Sequence, residues 1–135
     1  MTSRFLDAAF VIALELSEDQ HHDDALNHWG GLTGATISFV TTSYVFDEVV
    51  TFFISRHQHS KAVSVGTNLL NTPRIQLIHV DKDLFYEGWE YFKQHQDKEF
   101  SLTDCISFVL MKRLEIVEAL TFDRNFVQAG FKKLP

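Results

Sequence analysis

Four acids in this chain stand where a strand gives way to a helix or a helix begins. Asp7 follows Arg4-Phe5-Leu6, and Asp123 follows Ala119-Leu120-Thr121-Phe122. Asp104 closes Ser101-Leu102-Thr103-Asp104 ahead of the apolar run Cys105 to Met111, and Glu48 lies in Thr42-Ser43-Tyr44-Val45-Phe46-Asp47-Glu48-Val49. Carboxylates gathered from such places repel one another at neutral pH unless something positive sits among them. Oxygen-only donors select hard cations, so Mg²⁺ or Mn²⁺ is the natural occupant, as one ion or two. Ions of that kind activate water and stabilise in-line displacement at phosphorus without a lysine or histidine base.

Each acid also has a plainer reading. Asp7 sits at a helix start and can serve as an N-cap. Ser101 and Asp104 stand three apart, the capping-box spacing, and an acid in the first turn suits the positive end of the helix dipole. Glu48 lies three residues after Val45 and four before Phe52, on the border of an apolar stripe, where it either reaches solvent or lines a pocket. Acids fill 18 of 135 positions, so one of them means little; their recurrence at matching points of the fold is the signal.

Those points follow from the pattern of elements. Arg4 to Asp7 begins as a strand and Ala8 to Leu16 continues as a helix; a second helix runs from about Gln20 to Trp29, and Gly30-Gly31 stops it. Thr36 to Thr41 is β-branched and aromatic, as in a buried strand, and Ser43 is placed to cap a helix striped by Val45, Val49, Phe52 and Phe53. His57 to Leu70 reads as a helix, Arg74 to Val80 as a strand, and Asp81 as the cap of an amphipathic helix carrying Leu84, Phe85, Trp89 and Phe92. After the helix that ends near Leu114 come a short strand, Ala119 to Phe122, a turn or two of helix around Asn125, Phe126 and Val127, and a last edge strand from Phe131 to Leu134. Alternating strands and helices imply an α/β fold with a mainly parallel sheet. In open parallel sheets ligands gather outside the carboxyl ends of the strands, where the strand order reverses. Asp7 and Asp123 both fall at such ends.

A length of 135 residues with 45% hydrophobic content suits one compact domain spanning residues 1 to 135. One cysteine excludes an internal disulfide and fits a reducing compartment. No charged-then-apolar leader opens the sequence and no apolar run nears the roughly 18 residues of a membrane span, so the expectation is a cytoplasmic protein. A net charge of −6 argues against a broad electrostatic grip on nucleic acid, leaves open a substrate held through metal ions, and favours a basic partner.

Several features point elsewhere only at first sight. His21-His22-Asp23-Asp24 with His28, and His57 with His59, lack the cysteine pair or His-Glu-x-x-His spacing of zinc sites. Cys105 has no partner motif for nucleophilic work and reads as a small buried hydrophobe. There is no glycine-rich phosphate loop and no Gly-x-Ser-x-Gly elbow. Arg56 and Arg124 read as solvated surface charges.

Taken in order, Phe5-Leu6-Asp7, Thr42 to Val49, Ser101-Leu102-Thr103-Asp104 and Thr121-Phe122-Asp123-Arg124-Asn125-Phe126 resemble the PIN domain family of metal-dependent ribonucleases, and most of all the VapC-type toxins of bacterial toxin–antitoxin pairs. The resemblance spans nearly the whole chain. It implies a three-layer α/β fold in which Asp7, Glu48, Asp104 and Asp123 hold one or two Mg²⁺ or Mn²⁺ ions. It further implies hydrolysis of an RNA phosphodiester by metal-activated water, leaving a 5′-phosphate and a 3′-hydroxyl. Ser101 or Thr103 would steady the carboxylates or the substrate. In the toxin branch the protein forms a homodimer and is silenced by an antitoxin with a basic segment. Two positions depart from the family: Ala8 stands where Thr or Ser often follows the first Asp, and Asn125 stands where a polar or acidic residue commonly follows the last.

Two other functions compete. One is a non-catalytic RNA- or protein-binding module of the same fold, whose acids only cap helices. The other is a receiver-like phosphoacceptor, which would want a paired acid near the first strand and a lysine after a late strand; neither is present.

Overall fold

The computed structural model describes residues 2–32 and 34–135. Five strands form one parallel sheet: β1 (Thr2–Leu6), β2 (Ile37–Thr42), β3 (Ile75–Ile78), β4 (Glu118–Leu120) and β5 (Lys132–Leu134), in the spatial order β3-β2-β1-β4-β5. The chain moves outward from β1 to β2 and β3, then crosses back to lay β4 on the other side of β1. Parallel crossovers are right-handed, so reversing direction moves the connecting helices to the opposite face. The helices α1 (Ala8–Glu15), α2 (His22–Gly30), α3 (Ser43–Ser55) and α4 (His59–Asn71) accordingly pack with one another, α1 on α2 and α3, and α3 on α4. On the return path, α5 (Lys82–Gln94) packs on α6 (Leu102–Arg113), and the short α7 (Asn125–Gln128) rests on α6. The result is a sheet flanked by helices.

Register follows the alternation of the strands. Phe5 pairs with Val40 on one side and Ala119 on the other, and Leu6 pairs with Leu120. Both faces of β1 are covered, which is why Phe5 and Leu6 are both buried. Aromatic rings fill the layer under α6: Phe108 meets Phe126 edge-on at 4.9 Å and Phe100 at 5.0 Å. Helix α6 is buried on nearly all sides, Cys105 included, as its continuous apolar run implied. Its partner α5 approaches so closely that a Cβ placed on Gly88 would collide with the Ile106 side chain.

Most ends shift by a residue or two from the sequence reading, β3 being shorter at Ile75–Ile78, and two of the differences bear on the site. The cap of α3 is Thr42, in extended backbone, whose hydroxyl accepts from the Val45 N–H at 3.1 Å. Ser43 is the first helical residue, and its hydroxyl accepts from the Val80 N–H at 2.9 Å, tying α3 to the segment after β3. Strand β4 stops at Leu120 because the Thr121 hydroxyl accepts from the Asp123 N–H at 3.0 Å and turns the chain. Among the described residues, no helix is long and apolar enough to cross a membrane.

Candidate active site

Strand order reverses beside β1, so the crevice of the sheet lies outside the carboxyl ends of β1 and β4. Asp7 is the first residue past β1, and its N–H donates to the Leu120 carbonyl of β4 at 3.1 Å. Asp123 stands three residues past β4. Asp104 enters from the first turn of α6 and Glu48 from the second turn of α3.

Asp7 occupies the N-cap position of α1 in extended backbone, but its side chain makes no capping bond. Oδ2 accepts from the Thr121 hydroxyl instead, at 2.7 Å. The residue is 5% exposed. Burial raises its pKa from 3.8 to about 7; the Thr121 bond opposes that rise, and the charges of Asp104 and Glu48 add to it.

Asp104 does close a capping box. The Ser101 hydroxyl accepts from the Asp104 N–H at 3.0 Å, and the Ser101 N–H donates to Asp104 Oδ2 at 3.2 Å. The Asn125 side-chain amide reaches that same Oδ2 at 3.1 Å. Asp104 is nonetheless buried, and burial lifts its pKa above the usual range; the Asn125 and Ser101 bonds hold it down, and the charge of Asp123 pushes it up. Capping and clustering are therefore both true of Asp104.

Glu48 is exposed as a residue, yet its carboxyl at the tip feels the protein around it. Desolvation raises its pKa, a hydrogen bond from Thr103 opposes, and Asp104, Asp47 and Asp123 add repulsion. Asp123 Oδ1 accepts from the Asn125 N–H at 2.9 Å, so Asn125 touches two of the acids at once.

All four acids thus feel one another, directly or through a neighbour. Among the described residues none of them is paired with a lysine or arginine. Ser101, Thr103, Thr121 and Asn125 are the neutral groups that hold them. Also among those residues, no three Asp, Glu, His or Cys side chains stand close enough to enclose one ion as placed. By donor type the acids fit a hard cation, with hard oxygens throughout and their mutual repulsion unbalanced. By placement they stand apart, each turned toward a neutral donor, so closing around an ion requires at least one carboxylate to rotate.

One residue at this site was not singled out from the sequence. Thr121 is buried, donates to Asp7 and accepts from Asp123. The Thr-x-Asp spacing is a local turn signature, but a partner 114 residues away leaves no local mark. Between Thr121 and Asp123, the Phe122 ring is stacked on His21 at 4.3 Å and on Phe10 at 5.9 Å, which fixes the turn from the side of α1 and α2.

A model of the PIN domain matches residues 4–132. The chain is 32% identical over 127 residues to a Mycobacterium tuberculosis protein named 23S rRNA-specific endonuclease VapC20, covering 94% of each. The crystal structure of M. tuberculosis VapC20, described as a sarcin-ricin loop cleaving toxin, superposes with a TM-score of 0.85 at 31% identity, over 94% of this chain and 95% of that one. VapBC2 from Rickettsia felis, bound to a DNA fragment from its promoter, shares the fold with a TM-score of 0.74 at 11% identity, over 99% of this chain and 100% of that one.

Proposed function

This chain belongs to the PIN domain family, and on that premise we propose that it is a metal-dependent endoribonuclease, the toxin of a toxin–antitoxin pair acting in the cytoplasm. The observation that carries the reading is Asp7. A carboxylate that served only as a helix cap would make a capping bond; that of Asp7 makes none, and burial, with the charges of Asp104 and Glu48 adding to it, lifts its pKa to about 7. Burying an acid against like charge is costly, and a cation bound among the four offsets it.

Asp7, Glu48, Asp104 and Asp123 would hold one or two Mg²⁺ or Mn²⁺ ions. An ion held there would supply Lewis acidity and a water of lowered pKa, the chemistry needed to hydrolyse a phosphodiester to a 5′-phosphate and a 3′-hydroxyl. The protein's own groups set the geometry. Ser101 and Asn125 fix Asp104 from two sides, and Thr103 restrains Glu48. The four acids leave the site negative, so an ion held by them would be what makes it able to receive a phosphate in place of a basic surface. A basic antitoxin segment complements the same charge, and a homodimer completes the assembly expected of the toxin branch.

The capping box of Ser101 and Asp104 supports the rival reading, a binding module whose acids only cap. One pair of measurements separates the two. A thermal melt titrated with Mn²⁺ is expected to show a concentration-dependent rise for the wild type that disappears in Asp104→Asn. In parallel, an RNA oligonucleotide carrying the sarcin-ricin loop, which the M. tuberculosis relative is described as cleaving, is expected to be cut by the wild type with Mn²⁺ and not by the mutant. Equal, metal-insensitive melts with no cleavage by either protein would leave Asp104 as a cap and sink the nuclease reading, and equal cleavage by both would sink a metal site at Asp104.

A further inference from the structure

The hydroxyls around the four acids do different jobs. The Thr41 hydroxyl donates to the Leu6 carbonyl at 2.8 Å, and that of Ser107 donates to the Thr103 carbonyl at 3.0 Å; both bind backbone. The Ser101 hydroxyl accepts from the Asp104 N–H, again a backbone group. Thr121 is different. Its single Oγ1 contacts groups of two separate acids, brought together from β1 and from the turn after β4.

Proton counting fixes the direction of each bond. A hydroxyl has one proton to give and two lone pairs to receive with. The Asp123 backbone N–H can only donate, so it occupies a lone pair of Thr121 Oγ1 at 3.0 Å. The hydroxyl proton is then free to point at Asp7 Oδ2, at 2.7 Å, with the whole contact buried. Around this atom the backbone is already tied: the Asp7 N–H donates to the Leu120 carbonyl and the Thr121 N–H to the Leu134 carbonyl. Both backbones are therefore held, and the hydroxyl bond acts on the freedom that is left, the rotation of the Asp7 carboxylate.

We propose that Thr121 is the positioning residue of the site: its hydroxyl takes up Asp7 Oδ2 and so fixes the orientation of the carboxylate, and it locks the Asp7–Asp123 spacing by holding the Asp123 backbone with the same oxygen. The proposal rests on the metal-site reading above and adds to it a residue that binds no ion itself. Hydrogen bonds to ligating carboxylates orient them, and losing one typically weakens metal binding by roughly 10- to 100-fold.

The comparison that isolates Oγ1 is Thr121→Ser against Thr121→Ala. Both drop the γ-methyl, and they differ only in the hydroxyl. Mn²⁺-dependent melting and direct Mn²⁺ titration are read for both, for the wild type, and for Thr41→Val, which loses a buried hydroxyl that holds no carboxylate. Expected are a Mn²⁺ midpoint within about threefold of wild type for Thr121→Ser and Thr41→Val, and one about tenfold or more higher for Thr121→Ala, with the metal-free melts of the Ser and Ala variants close together. A Thr121→Ala midpoint equal to that of Thr121→Ser overturns the positioning role while leaving the metal site standing. A wild type that does not respond to Mn²⁺ at all overturns the metal-site reading, and the proposal falls with it.

Discussion

Asn125 joins Asp104 to Asp123: its side-chain amide donates to Asp104 Oδ2 at 3.1 Å, while its backbone N–H donates to Asp123 Oδ1 at 2.9 Å. One neutral residue thus supplies donors to two acids that repel each other, from an element, α7, only four residues long. An amide can do this at any pH. A carboxylate in its place could not donate and would add a further negative charge.

Asn125→Asp is therefore expected to destabilise the metal-free protein at pH 8 by about 1–3 kcal/mol, the cost of exchanging one of the two donors to Asp104 Oδ2 for a like charge beside it. Asn125→Ala should cost less, roughly 1 kcal/mol. Because the extra charge of the Asp variant is also an extra hard ligand, saturating Mn²⁺ should recover more stability in Asn125→Asp than in Asn125→Ala. Urea melts of both variants with and without Mn²⁺ check the order; equal recovery in the two would show that residue 125 does not face the ion.

The capping box makes two variants dissociate. Ser101→Ala removes the hydroxyl that receives the Asp104 N–H but keeps the Ser101 N–H that holds the Asp104 carboxylate. It should cost about 1 kcal/mol of stability and leave RNA cleavage within about tenfold of wild type. Asp104→Asn should behave the other way round, with the helix start preserved and cleavage lost. Stability and activity measured on the same two preparations test this crossing pattern. If both variants lost stability and activity together, the cap and the site could not be separated.

Gly88 ties the fold to the site at longer range. Alanine there would push on the side chain of Ile106, which is fully buried and whose backbone lies only 3.2–3.3 Å from the new Cβ. A gain of about 1 kcal/mol in helix propensity cannot offset overpacking worth about 1–3 kcal/mol against backbone that cannot move aside. Ile106 is two residues from Asp104 on α6, so any relief by sliding α6 displaces one of the four clustered acids. Gly88→Ala should melt lower and also cleave more slowly than a surface variant of equal stability, such as one at Val117, which is 68% exposed.

Much of this arrangement is written locally. The capping box at Ser101, the Asp81 cap of α5 and the strand-to-helix junction at Asp7 follow from spacings of a few residues, and the structure has all three. The alternation of elements was enough for a parallel α/β sheet, because each crossover has only one favoured hand. What was not legible depends on partners distant in the chain. Thr42 and Ser43 are equally good caps by type, and only the Val80 N–H, 37 residues on, decides that Ser43 faces away from its own helix. Glu48 could be placed on the border of an apolar stripe, but its neighbours Thr103 and Asp104 come from α6. Thr121 reads as one more β-branched residue of a strand until β1 is laid beside β4.

Asp7 provides the sharpest test, because its protonation couples to stability with a definite sign. Its pKa is about 7 in the folded protein against 3.8 for the free side chain, so between those values the folded state binds more protons than the unfolded one. Stability contributed this way is fully present below about pH 4, falls as pH rises through about 7, and is gone above that. The raised pKa values of Glu48 and Asp104 act in the same direction. Asp7→Asn removes the charge yet keeps an oxygen that can accept from Thr121. In the absence of metal it should therefore be more stable than wild type at pH 8, by roughly 2–4 kcal/mol, with the difference shrinking toward zero at pH 4. Adding Mn²⁺ at pH 8 should reverse the order, since only the wild type offers all four carboxylates to the ion. Chemical denaturation across pH 4–8, with chelator and then with Mn²⁺, reads both effects. A variant less stable than wild type at every pH would mean that Asp7 serves the fold as a charged partner, not as an acid held in place for a cation.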